Sequence, residues 1–257
     1  MKWLWCCLLL LLHAAPAASA PAAATTASAP APAATPVIKL TSLDWPPYTG
    51  ADLPEQGEVT LFLRTLFGEL GYQLQVDFLP WPLAVARVHS GKEGHLGYFP
   101  EYPLTSPDYL QTVAIGYSEL GLVERRDNPL LLTDARQLAG LRFGVVQDYL
   151  NMVKLDALIA AGELTPQISQ SDRANVLKVL KGELDAAVID NRVLQYLLQH
   201  DKDIQQGATK LQFSQSLKEH KSLHLVLKNT AQNVELIKKI NQKIGQYKTR
   251  FLTPSLK

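Results

Sequence analysis

From Val37 onward, short apolar runs alternate with stretches whose apolar residues recur at helical spacing, and this alternation restricts the fold more than any other property of the chain. The stretch "LKGELDAAVIDN", Leu180 to Asn191, shows it most sharply. Its core, Ala186-Ala187-Val188-Ile189, is too short for a spanning helix, has no polar alternation and stops at Asp190. A strand covered by helices on both faces of a parallel sheet reads this way. Further strands are expected at 37–43, 73–79, 95–99, 120–125, 141–147 and 223–228. Helices are expected at 59–70, 82–89, 149–161, 173–181, 192–199 and 234–247. Gly71 and Gly91 stand where helices should stop, and Asp172 is placed to cap the helix after it. Strands alternating with helices build parallel βα units and an α/β fold.

Lys2, an apolar run from Trp3 to Leu12 and then small residues follow the order of a secretory signal peptide, expected over residues 1–22 with cleavage after Ala17 or Ala22. The run is too short for a permanent membrane span. Cys6 and Cys7, the 2 cysteines of the chain, lie inside it, so the processed protein has neither a disulfide nor a thiol nucleophile. Residues 23–36 are nearly all Ala, Thr, Ser and Pro, a composition that cannot build a core and is expected to form a disordered leader. The remainder, about 220 residues, suffices for one large domain or two lobes. Lys2 is the one charged residue lost with the signal, which leaves 24 basic against 24 acidic residues. That neutral balance argues against a nucleic-acid partner. These features predict export through a cleaved signal peptide.

In open α/β sheets, ligands bind just beyond the carboxyl ends of strands. Asp190 belongs there, either meeting a ligand or capping the next helix. Trp45 and Tyr48 fall in the Pro-rich turn after the first strand, where aromatic faces suit stacking on a ligand. Trp81 opens a helix and is divided between ligand and core. Tyr98 and Phe99 follow a strand end, with one of the two facing the core. Gln147, Asp148 and Tyr149 follow "RFGVV" at an expected helix start, where backbone N–H groups attract polar ligands. The 6 histidines show no metal-ligand spacing and no cysteine accompanies them, so no metal is expected. "GHLGYF" is not a phosphate loop, and "GYSELG" lacks the spacing of a nucleophile elbow. One internal echo links "HSGKEGHLGYFP" (89–100) with "LKGELDAAVIDN" (180–191): a glycine-ended helix, a charge, then a short strand. It implies two similarly built lobes whose strand ends face one space.

Taken in order, "LDWPPYTG", "PW" at Pro80-Trp81, "SGKEG", "ARQLAGLRFGVVQ", "LKGELDAAVIDN" and "SLHLVLKNTAQNVELIKKIN" resemble the extracytoplasmic solute-binding proteins of family 3, the polar-amino-acid transporter type. The resemblance runs from about 38 to 250. It implies a periplasmic-binding-protein-like fold of type II, with two α/β lobes joined by two crossovers and a ligand between them. Lobe 1 would comprise 37–122 and 225–257, and lobe 2 123–224. The family's amino-acid site generally pairs an arginine for the ligand carboxylate with an aspartate for its ammonium. Asp190 matches the aspartate, but Tyr98 to Thr112 contains neither Arg nor Lys. That departure turns the expected ligand from a free amino acid toward a small polar or amine-bearing solute, unless Arg87 reaches the cleft. The implied protein is a periplasmic monomer without cofactor that delivers its solute to the permease of an ABC transporter. An alternative is a cyclohexadienyl-dehydratase-like enzyme using Glu101 and Asp190. Another is a ligand sensor that docks on a membrane receptor.

Overall fold

A computed structural model describes residues 34–247. The signal peptide, most of the leader and the last ten residues of expected lobe 1 lie outside that range. The chain opens with β1 (Val37–Ser42), α1 (Glu58–Glu69), β2 (Gln73–Phe78), α2 (Trp81–Ser90) and β3 (Gly97–Glu101). Short β4 (Tyr109–Gln111) leads into the long β5 (Gly116–Arg125). The second half runs through β6 (Phe143–Val146), α3 (Val153–Ala160), β7 (Gln167–Ser169), α4 (Asp172–Lys181) and β8 (Ala186–Asp190). After α5 (Asn191–His200), α6 (Lys202–Gln205) and β9 (Leu211–Phe213), the chain returns through β10 (Glu219–Lys228) to α7 (Ala231–Tyr247).

The strand order is β2-β1-β3-β10-β5-β8-β6-β7, with β4 beside β10 and β9 beside β5. β1 pairs in parallel with β2 and β3, and β6 in parallel with β7 and β8. These are the two α/β lobes. β5 and β10 carry the chain between them, pairing antiparallel from Gly116↔Leu223 to Leu120↔Glu219. β10 then continues along β3 and β4, while β5 continues along β8 and β9.

The packing follows the sequence pattern. Every residue of β8 is buried, as a strand between helices α4 and α5 requires. On α1, Val59, Leu63, Leu66 and Phe67 form the inward stripe of an amphipathic helix. The internal echo is structural. α2 and α4 each end at a left-handed glycine, Gly91 at φ 67° and Gly182 at φ 74°. Each then leads to a wholly buried strand that ends in an acid, Glu101 on β3 and Asp190 on β8.

Two local expectations are corrected. Ser171, not Asp172, caps α4, its hydroxyl accepting from the Ala174 N–H at 3.2 Å. The helix expected from Tyr149 begins only at Val153, so Gln147 and Tyr149 do not sit at a helix N-terminus. The Gln147 and Tyr149 N–H groups instead donate to the carbonyls of Ser169 and Val146. Between them Asp148 takes a left-handed φ of 59°.

Candidate ligand-binding cleft

The loop after β1 folds back on itself before it reaches the cleft. Trp45 N–H donates to the Thr49 carbonyl at 2.8 Å, and Thr49 Oγ1 donates to the Leu43 carbonyl at 2.9 Å. The start of α1 anchors it: Val59 N–H donates to the Tyr48 carbonyl at 2.9 Å. Gly57 makes that approach feasible, because a Cβ there would lie 2.4 Å from the Tyr48 carbonyl oxygen. So held, Trp45 and Tyr48 stack with ring centroids 4.5 Å apart, and both are buried.

From this loop Tyr48 crosses to the second lobe. Its hydroxyl lies 3.0 Å from Asp190 Oδ2 and 3.2 Å from the Tyr117 carbonyl. Asp190, only 1% exposed, is saturated by protein donors. Its Oδ1 accepts from the N–H groups of Arg192 at 2.7 Å and Val193 at 2.9 Å, capping α5. Its Oδ2 also accepts from Ser118 Oγ at 2.5 Å. Because Ser118 has spent its proton there, Tyr102 is the donor in the 2.9 Å contact between their hydroxyls. Burial raises the Asp190 pKa, and these four donors oppose the rise. A second tie follows the same path: Arg192 forms a two-pronged ion pair with Glu58 at the start of α1, with Nη2 to Oε2 at 2.8 Å, and lies 4.9 Å from the centre of the Tyr48 ring.

Tyr102 stands at the centre of the charges. Asp190, Asp172 and Glu101 all act on its buried phenol and push its pKa up, after burial itself. The Lys221 ammonium lies 4.9 Å from the centre of its ring and donates to the Asn151 carbonyl. Glu101 and Asp172 are 9% and 8% exposed. Burial raises Glu101 to about 7, against the pull of the Tyr102 N–H and of Lys221. Burial, with the nearby Asp190 charge, likewise raises Asp172 to about 7, partly offset by a hydrogen bond from Trp45. The cleft thus gathers three buried carboxylates and one buried ammonium among aromatic rings. A small, partly open cavity of about 30 Å³, room for no more than a water or two, is walled by Trp45, Trp81, Glu101, Tyr102, Tyr149 and Leu150.

The residues singled out from sequence divide into two groups. Trp45, Tyr48, Trp81, Tyr149 and Asp190 come together here, and Trp81 meets Tyr149 edge-on at 6.4 Å. Tyr98 is buried one layer behind, edge-on to Trp81 at 5.4 Å. Phe99 is a core residue with no exposure. Gln147 accepts from the Gln170 amide at 2.8 Å and lines neither the cavity nor the groove beside it. Arg87 lies outside the cleft, paired with Glu93 at 3.1 Å and Asp77 at 4.0 Å. Its guanidinium supplies the positive charge for the Asp77–Glu93–His95 cluster, whose ligand-type atoms lie within 4.8 Å of one another. Asp172, Tyr102, Ser118 and Lys221 were not read from sequence as site residues. Asp172 passed for a cap, and the other three carry no motif.

No protein-family profile matches the chain, and no curated protein matches it in sequence. Solved structures do match. A histidine kinase sensor domain similar to periplasmic binding proteins aligns with TM-score 0.70 at 15% identity, covering 83% of this chain and 90% of that one. An ancestral arginine-binding protein bound to arginine aligns with TM-score 0.67 at 14% identity over 83% and 93%. An ancestral amino-acid-binding protein, a precursor of cyclohexadienyl dehydratase, aligns with TM-score 0.64 at 14% identity over 83% and 90%. The chain therefore has the two-lobed periplasmic-binding-protein-like fold.

Proposed function

We propose that this protein is a periplasmic solute-binding protein of the polar-amino-acid transporter type, which closes on a small amine-bearing solute and presents it to the permease of an ABC transporter. One observation carries the reading: Glu101, Asp172 and Asp190 are buried around Tyr102 with Lys221 as the counter-charge. Burying charge without a partner is costly, so such a cleft favours either protons or a cation. The aromatic walls suit the same guest, since ring faces attract cations. Asp190 already spends its acceptors on protein donors, which leaves Glu101, on the cavity wall, to meet the ammonium. Arg87, held by Glu93, is not available for a ligand carboxylate. Calorimetric titration with small amines tests this: Glu101→Gln should weaken binding at least about tenfold, as loss of a charged hydrogen-bond partner implies. Unchanged amine affinity in Glu101→Gln would reject the assignment.

Two further readings have an observation behind them. The likeness to a kinase sensor domain supports docking on a membrane receptor in place of a permease, which crosslinking in intact cells would resolve. Glu101, buried with a pKa of about 7, has the protonation of a general acid and supports a dehydratase. Prephenate turnover would favour the enzyme. Binding is the better supported, because Asp190, the other member of the expected acid pair, is locked into structural hydrogen bonds.

A further inference from the structure

A larger groove of about 490 Å³ adjoins the small cavity and shares Trp81, Glu101 and Leu150 with it. It lies between α2 and the loop after β6. Its α2 wall is formed by Pro82, Val85, Ala86 and His89, at positions i, i+3, i+4 and i+7. That is the spacing of an apolar helix face. The core-facing stripe of the same helix is a different one, Trp81, Ala84 and Val88. α2 therefore turns a second stripe toward the groove, in which Pro82 and Val85 are half-buried and Ala86 and His89 are exposed. Leu104 and Tyr109 extend the apolar wall, and Tyr109 is pinned by a 3.2 Å hydrogen bond to His89 Nδ1. The charged groups of the lining are two carboxylates, Glu101 at the junction with the cavity and Asp148 at the exposed rim; no lysine or arginine lines the groove. The cavity is too small for an organic ligand, whereas the groove falls within the usual range for one, about 300–1,000 Å³.

Building on the cation reading above, we propose that this groove is a subsite for the apolar tail of the solute. The preferred ligand class is then a primary amine with an aryl or alkyl tail, its ammonium toward Glu101 and its tail along Val85, Ala86 and Leu104. Size and charge agree: the groove is large enough for a tail, it is apolar along α2, and Glu101 supplies the negative charge where it meets the small cavity.

The test titrates the full processed protein by calorimetry with ethylammonium, 2-phenylethylammonium, hexylammonium and the uncharged 2-phenylethanol. The proposal expects the two tailed amines to bind at least about tenfold more tightly than ethylammonium, a modest gain for several buried methylenes. Ala86→Trp, which fills the groove from an exposed helix position, should abolish that gain while leaving ethylammonium binding unchanged. Val85→Ser, a smaller perturbation of the same wall, should reduce the gain in part. Equal affinities for tailed and tail-less amines would overturn the subsite but spare the cation reading. A gain that survives Ala86→Trp would also overturn it, by placing the tail elsewhere. Binding of 2-phenylethanol as tight as that of 2-phenylethylammonium would overturn the amine assignment and the cation reading while leaving the groove an apolar site, and no binding of any amine would overturn both the subsite and the reading it rests on.

Discussion

The carboxylate of Asp190 makes the bonds of a helix cap with one oxygen and joins the two lobes with the other. Asp190→Asn keeps a carbonyl oxygen for the Arg192 and Val193 N–H groups but turns an amide toward Ser118 and Tyr48. It should cost about 1–3 kcal/mol of stability in urea titration, the range for disturbing a buried polar partner. A loss well below that would mean that the Tyr48 and Ser118 bonds contribute little. Glu101 and Asp172 predict a pH dependence whose sign is fixed. Both titrate near 7 in the fold, above their ordinary 4.5 and 3.8. Between about 4.5 and 7 the folded chain holds protons that the unfolded chain has released, so stability falls as pH rises, by about 1.4 kcal/mol per unit and group. Thermal unfolding from about pH 5 to pH 8 should show a declining midpoint, and the double variant Glu101→Gln, Asp172→Asn should flatten the slope. A wild-type midpoint that rises across this window would contradict the burial of these two acids. At this scale the sequence was readable where a strand ended in a charge, as at Asp190. It misled at Asp172, because neighbouring Ser171 satisfies the cap and frees the aspartate to turn inward. Lys221 and Tyr102 were invisible, since their meeting depends on two segments over a hundred residues apart.

At the scale of elements, the turn after β1 is the part that brings aromatics to the cleft, and α1 holds it there. Gly57 has φ 97° and ψ 162°, a conformation nearly confined to glycine, with the Tyr48 carbonyl directly against it. Gly57→Ala should therefore cost about 1–3 kcal/mol and displace Tyr48 from Asp190. The check is a urea titration beside Tyr48→Phe, with the double variant losing less than the sum of the singles; strict additivity would show that Gly57 does not act through Tyr48. The long strands and helices were legible from periodicity. β4, β7 and β9 were not, since three residues make no pattern. β5 and β10 each begin four residues earlier than their apolar runs indicate. Their first halves, including Ser118, Glu119, His220 and Lys221, pair with each other at the crossover, where polar side chains face the cleft and the surface instead of a core.

For the whole molecule, the alternating pattern indicated an α/β fold, and the echo of two glycine-ended helices pointed to two lobes only together with the family resemblance. The contacts that join the lobes could not be read, because ion pairs such as Glu58–Arg192 need three-dimensional proximity and have no local signature. Tyr48 and Arg192 tie the two lobes across the cleft. Tyr48→Phe combined with Arg192→Ala removes the Tyr48–Asp190 hydrogen bond and the Glu58 ion pair while leaving each lobe's core intact. Small-angle scattering should show a larger radius of gyration for this variant, and saturating amine should bring it back toward that of the wild type by favouring the closed form. A variant as compact as the wild type without ligand would show that other contacts set the closure.

On the proposed reading the three buried carboxylates outweigh the single ammonium of Lys221, so the cleft prefers a cation to a carboxylate. The most direct measurement is a side-by-side calorimetric titration of arginine, agmatine and glutamate, where agmatine is arginine without its carboxylate. Agmatine is expected to bind at least as tightly as arginine, and glutamate not to bind. Arginine binding about tenfold or more tighter than agmatine, or tight binding of glutamate, would contradict this preference and would identify Lys221, the buried ammonium at Tyr102, as a carboxylate holder in place of the missing arginine.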